Sequence, residues 1–165
     1  MLRLRSARPD ETAALTELCL RSKAVWGYDE AFMTACRAEL TITPDDLERF
    51  SLQVACAGND LVGVAQVVID GREADLAKLF VEPSALRTGA GRTLFDWAAR
   101  EARRQGAQRL WIEADPDAAA FYRRMGAVDD GTVASGSIPG RLLPRLRLEL
   151  SVPTATDSAK SDPTA

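Results

Sequence analysis

From residue 74 to residue 114 the chain reads strand, loop, helix, strand, and no other feature limits the fold as tightly. Residues 74–81 have strand composition. Residues 91–104 put Leu94, Phe95, Ala98 and Ala102 on one helical face, and residues 109–114 form a second apolar strand. Two strands joined through a helix in one sheet run parallel, with a right-handed crossover. Turn signals surround this unit. Gly58-Asn59-Asp60 and Asp70-Gly71 each separate strand-like runs, and Asp70-Gly71 reads as a two-residue hairpin turn. Those neighbours pair antiparallel, so the sheet is mixed.

The flanks complete the order. Residues 2–6 read as a strand. Pro9 opens a helix with Leu15, Leu18 and Cys19 inward, and residues 21–27 break the pattern. Residues 28–40 resume it through Phe32, Cys36 and Leu40, and Thr43-Pro44-Asp45-Asp46 caps a short helix. Strands are expected at 52–56 and 61–69. Asp115-Pro116 starts a helix with Ala118, Phe121, Tyr122 and Met125 on one face, and Gly126 stops it. Strands near 127–134 and 145–150 close an α/β domain spanning 1–150. Residues 151–165 lack periodicity and are expected to be a disordered tail.

Composition removes several chemistries. The 165 residues are 46% hydrophobic and 27% charged, with a net charge of −3. That balance leaves no overall basic footprint for nucleic acid, and Arg100, Arg103, Arg104 and Arg109 read as a solvated face. No apolar run is long enough to span a membrane. Histidine is absent, which excludes Cys-His and Ser-His catalysis and most zinc sites. Cys19, Cys36 and Cys56 lack metal-ligand spacing and read as buried hydrophobes in a reducing compartment, so no metal is expected and the location is cytoplasmic.

The loop after the first parallel strand holds Arg87, Thr88, Gly89, Ala90, Gly91 and Arg92. Glycines let backbone N–H groups approach a ligand, and the helix N-terminus adds partial positive charge. Together they suit a pyrophosphate, with cationic help from Arg87 and Arg92. A Walker loop is excluded for want of Gly-Lys-Ser/Thr, and Leu94 stands where a dinucleotide fingerprint needs its third glycine. A plain tight loop closing a helix remains open on these residues alone.

Two motifs in order are more specific. Val81-Glu82-Pro83 followed by Gly89-Ala90-Gly91 and Leu94, and then Glu113 to Ala127 with Ala118, Phe121-Tyr122 and Gly126, resemble the GNAT acetyltransferase superfamily. The resemblance is close over residues 75–127. It departs at Leu86, where the family carries Gln or Arg, and at Asp117, where it often carries Asn.

The resemblance implies a mostly antiparallel sheet with helices on both faces and a splayed parallel strand pair. It implies acetyl-CoA as co-substrate, with Leu79, Phe80 and Val81 along the pantetheine. Arg87, Thr88, Gly89, Ala90, Gly91 and Arg92 would surround the pyrophosphate, with Asp117 and Tyr122 nearby. Tyr122 would be the acid for the leaving thiolate and Asp75 the base, with Glu113 a weaker candidate. A strand N–H near Val81 would hold the oxyanion. Trp26, Tyr28 and Arg141 would wall the acceptor. The expected acceptor is a small-molecule amine; a peptide, or acyl-CoA binding without turnover, are the alternatives. A homodimer is compatible with the resemblance.

Overall fold

The computed structural model describes residues 1–150; the expected tail lies outside the described residues. The elements run β1 (Leu2–Ser6), α1 (Thr12–Ala24), α2 (Glu30–Leu40), α3 (Pro44–Arg49), β2 (Ser51–Ala57), β3 (Asp60–Asp70), β4 (Glu73–Val81), α4 (Ala90–Arg104), β5 (Arg109–Glu113), α5 (Ala119–Arg124), β6 (Val128–Ala134) and β7 (Leu142–Glu149). The strand order is β1-β2-β3-β4-β5-β7-β6. Among the described residues only β4 and β5 pair in parallel; every other neighbouring pair is antiparallel.

Local chemistry accounts for the element ends. Asp29 caps α2 by accepting the Phe32 N–H at 2.8 Å, so Tyr28 falls in the connection before the helix. The helix α1 runs on to Ala24, past the expected break at residue 21, because Arg21 and Lys23 suit a helix C-terminus. Thr43 and Asp46 form the capping box of α3. The hairpin between β3 and β4 turns on Gly71 and Arg72, one residue later than expected, with Asp70 paired to Glu73. Gly71 supplies the positive φ of 62°. The strand β7 starts before Pro144, which sits beside a register shift against β6 where a missing N–H is tolerated.

Helices cover both faces. On one, α4 and α5 bury Leu94, Phe95, Ala98, Ala102 and Ala119 against Leu76, Leu110, Ile112 and Leu146. On the other, α1 and α2 bury Leu15, Leu18, Cys19, Cys36 and Leu40 against Leu52, Val54, Cys56 and Val64. All three cysteines are buried and unpaired.

The parallel pair is short. It holds Glu73 to Arg109, Ala74 to Leu110 and Asp75 to Trp111, and then stops. Beyond Asp75, β4 follows β3, while β5 follows β7 as far as Glu113 opposite Arg145. A bulge helps to separate them. Gln66 pairs with Lys78 and Val67 with Leu76, so Ala77 is the extra residue of β4. The bulge also resets the alternation. Leu76 before it and Leu79 after it both face the α4 side, while Asp75 and Phe80 face the α1 side.

Candidate active site

The gap between β4 and β5 opens into a cleft of about 1290 Å³. Its backbone edge follows from strand geometry. The Glu82 N–H donates to Val62 O at 2.8 Å on β3. Alternation along a strand then turns the Val81 and Leu79 N–H groups toward the opening. Val81 N–H donates across it to Ser22 Oγ of α1 at 3.3 Å. Leu79, Phe80 and Val81 all line the cleft, and past Asp75 this edge of β4 has no strand partner.

One end of the cleft meets the start of α4. Gly89 is its N-cap with φ +90°, a conformation that favours glycine. The first helical bond runs from Thr93 N–H to Gly89 O at 3.0 Å. The N–H groups of Ala90, Gly91 and Arg92 therefore precede the helical ladder and are free for a ligand. Arg87, itself at φ 66°, lines the cleft with Gly89, Gly91 and Arg92. Thr88 does not: its hydroxyl donates to Ala85 O at 2.5 Å. Ala90 is buried in the core beneath. A Cβ on Gly91 would meet Phe121 Cζ at 3.5 Å, so this glycine packs α4 against α5. Leu86, 47% exposed, and Asp117 also line this cleft.

Tyr122 lines the middle. It is 7% exposed, its ring held 5.8 Å from Phe95 and 5.2 Å from Phe121, and its hydroxyl bonds to no described residue. No buried side-chain oxygen among the described residues lacks a partner, so the Tyr122 hydroxyl keeps access to the cleft. Burial, with a smaller effect of Asp115, pushes its pKa far above the ordinary phenol value, so it stays protonated.

Carboxylates stand on the α1 side of the opening. Asp75 and Glu113 line the cleft with Glu39. Burial raises the Asp75 carboxyl, with Arg145 opposing. Burial also raises Glu113, helped by the Asp75 and Glu39 charges. Glu73 is engaged elsewhere: it accepts from Arg109 at 2.5 Å and from Trp111 Nε1 at 2.9 Å, and Arg109 holds its carboxyl below the usual range.

The α1–α2 connection and the β6–β7 loop form another wall of the cleft. Trp26 and Arg141 line the cleft there, with Trp26 43% exposed. Tyr28 stands behind them. Its ring stacks on Phe32 at 3.9 Å; its hydroxyl donates to Asp115 Oδ2 at 2.5 Å and accepts from Arg141 Nη2 at 2.5 Å. Burial lifts its pKa to about 12. Asp115 is the hub, since its Oδ1 also accepts the Asp117 N–H at 3.0 Å where the α5 segment begins.

Sequence reasoning finds Asp115 only as a helix cap, because a bond across 87 positions leaves no local signature. Ser22 and Glu39 carry no motif either and enter only through the packing of α1 and α2. Among the described residues no group of three or more His, Cys, Asp or Glu could hold a metal, and no helix is long and apolar enough to cross a membrane.

Comparison with known proteins agrees with this geometry. No curated protein sequence matches the chain. Among solved structures, the PaiA N-acetyltransferase of Thermoplasma acidophilum in complex with coenzyme A superposes with TM-score 0.75 at 17% identity, covering 90% of this chain and 99% of that one. A GCN5-related N-acetyltransferase from Rhodopseudomonas palustris gives 0.74 at 23% identity, covering 90% and 95%. The ribosomal-protein-S18-alanine N-acetyltransferase of Escherichia coli gives 0.69 at 20% identity, covering 92% and 96%. These likenesses establish the fold. The model of the acetyltransferase (GNAT) family matches residues 13–127, and the chain belongs to that family.

Proposed function

We propose that this protein transfers the acetyl group of acetyl-CoA to the primary amine of a small molecule by direct attack. The observation that carries the reading is the splay: β4 leaves β5 after Asp75 and presents a bare strand edge beside the free N–H groups of α4. The donor set fits the co-substrate. Leu79 and Val81 offer the strand edge to the amides of pantetheine. Ala90, Gly91, Arg92 and the Arg87 side chain suit a pyrophosphate.

Bound acetyl-CoA supplies a thioester whose carbonyl carbon takes the amine nitrogen, forming the amide as the C–S bond breaks. The protein's own groups handle the protons. Tyr122 keeps its proton at neutral pH and donates it to the departing sulfur. A carboxylate of the Asp75–Glu113 pair takes the proton lost by the amine, its basicity raised by burial. A β4 N–H stabilises the oxyanion. The Arg141–Tyr28–Asp115 bonds tie the β6–β7 loop to the α1–α2 connection beside the cleft, which favours a small acceptor over a long peptide. Three buried free cysteines favour a reducing compartment, the cytoplasm.

The test is a panel of small amines and peptides incubated with acetyl-CoA, following thiol release and acetylated product by mass spectrometry. Acetylated small amine is expected. Acetylation confined to peptides would overturn the acceptor assignment, and no acetylation of any amine would overturn the catalytic one.

A further inference from the structure

The wall of the cleft formed by α1 and the β6–β7 loop brings two cations to one carboxylate. Lys23 and Arg141 both line it, and both are largely buried, with side chains 16% and 18% exposed. The carboxylate between them is Asp115, 10% exposed. It lies 3.7 Å from Lys23 Nζ and 3.6 Å from Arg141 Nη2, beyond hydrogen-bond reach. The close bonds of Asp115 go instead to the Tyr28 hydroxyl and the Asp117 N–H. Arg141 donates to Tyr28 alone among the described side chains, and Lys23 makes no hydrogen bond to any described residue.

Two cations therefore face one carboxylate, and the sum at that wall is one positive charge in excess. No buried side-chain nitrogen among the described residues lacks a partner, so the Lys23 ammonium keeps access to the cleft, where a ligand is the hydrogen-bond partner open to it. Aromatic faces do not replace that partner. Lys23 Nζ sits 5.5 Å from the Tyr28 centroid, an attraction without hydrogen bonds. The sign reverses within the same cleft at Asp75 and Glu113, beside the start of the splay, whereas Glu39 accepts from the Ser137 hydroxyl of the β6–β7 loop. The cleft thus carries charge of both signs, and a ligand that matches it carries both charges.

We propose that the acceptor is an amino-carboxylic acid: its carboxylate accepts from the N–H groups of Lys23 and Arg141 that Asp115 and Tyr28 leave open, and its amino group turns toward Asp75 and Glu113. This rests on the acetyl-transfer reading above. It narrows the acceptor from amines in general to amino acids and close analogues, and it disfavours diamines, whose second cation would meet Lys23 and Arg141. Arg141 presents a planar fork suited to a carboxylate, and Tyr28 fixes that fork by accepting one of its N–H groups.

The experiment uses the full chain with acetyl-CoA and a matched panel: several amino acids, the carboxamide of each, the decarboxylated amine of each, and two aliphatic diamines. Thiol release gives kcat/KM for every member. The carboxylates are expected to exceed their carboxamides by about tenfold or more, the scale of one charge-assisted hydrogen bond. In Arg141→Met, and separately in Lys23→Met, the carboxylate-to-carboxamide ratio should narrow toward one, while calorimetric acetyl-CoA affinity stays within a few-fold. Arg141→Lys should keep part of the preference.

Carboxamides or diamines used as well as the carboxylates would overturn the proposal, as would a panel with no turnover. A ratio unmoved in both Met variants would do the same, as would loss of acetyl-CoA affinity in place of the ratio. Should a Met variant fail to fold, the wild-type ratio decides alone. Failure of the underlying reading looks different: the wild-type protein would then acetylate no amine of the wider panel, or would not bind acetyl-CoA in the calorimeter at all.

Discussion

Replacing Tyr122 with phenylalanine separates chemistry from architecture. The substitution removes one hydroxyl and keeps the ring that packs 5.8 Å from Phe95 and 5.2 Å from Phe121. That hydroxyl bonds to no described residue, so no intramolecular hydrogen bond is lost, and the side chain is only 7% exposed. Stability should change by under about 1 kcal/mol, with the sign open to a slight gain because a poorly partnered polar group leaves the core. The cost falls on turnover. A positioned acid contributes roughly 10²-fold or more, so the turnover number should fall by about that factor, near 3 kcal/mol of barrier. The phosphate loop lies at the start of α4, away from the hydroxyl, so acetyl-CoA affinity should hold within a few-fold. The assay pairs steady-state thiol release, using an acceptor from the amine panel, with calorimetry and thermal unfolding on both proteins. Unchanged turnover, with chemistry shown to be rate-limiting, would remove Tyr122 from the mechanism. A parallel loss of affinity and melting temperature would show a structural hydroxyl instead.

Other perturbations follow from the same geometry. Gly89→Ala puts a Cβ on a residue at φ +90°, which should cost about 1–2 kcal/mol and weaken acetyl-CoA about tenfold or more by disordering the turn into α4; unchanged affinity would place the pyrophosphate elsewhere. Asp75→Asn and Glu113→Gln identify the base: the true base loses about 10²-fold in kcat/KM, whereas loss of Asp75 alone should lower the acid limb if Glu113 is the base, because the Asp75 charge helps to raise it. In the wild type that limb should fall above the ordinary carboxylate range, since burial raises both groups and a base acts only when deprotonated. Glu73→Gln should leave turnover intact and lower the melting temperature at neutral pH. Arg109 depresses the folded-state pKa of Glu73, so its stabilisation is present above the unfolded value and fades as pH falls through the folded one. The two proteins should then melt together near about pH 2, and a gap that persisted there would refute the ion-pair account.

Much of this architecture was legible from local pattern. The apolar face of α4, read at Leu94, Phe95, Ala98 and Ala102, is the face that is buried. The β-α-β order implied the single parallel pair, and hairpin signals implied its antiparallel neighbours. Legibility fails where the cause is not local. The bulge at Ala77 has no residue signature, because it depends on register against β3. The order β5-β7-β6 places the last strand inside the sheet, a choice between topologies that periodicity does not make. At the site, the phosphate loop announced itself through contiguous residues, whereas the hub at Asp115 joins Lys23, Tyr28 and Arg141 from three separate segments. Tyr28, expected as a wall for the acceptor, stacks its ring on Phe32 and braces Arg141 with its hydroxyl.

The central claim is that the bare edge of β4 and the open start of α4 form an acetyl-CoA site. Isothermal titration of the purified full chain with acetyl-CoA, in metal-free buffer containing EDTA, tests it most directly. The account predicts saturable one-site binding at about micromolar affinity, close to −8 kcal/mol, weakened in Gly89→Ala and retained in Tyr122→Phe. Absence of binding at millimolar acetyl-CoA, from protein that is folded by circular dichroism, would contradict it.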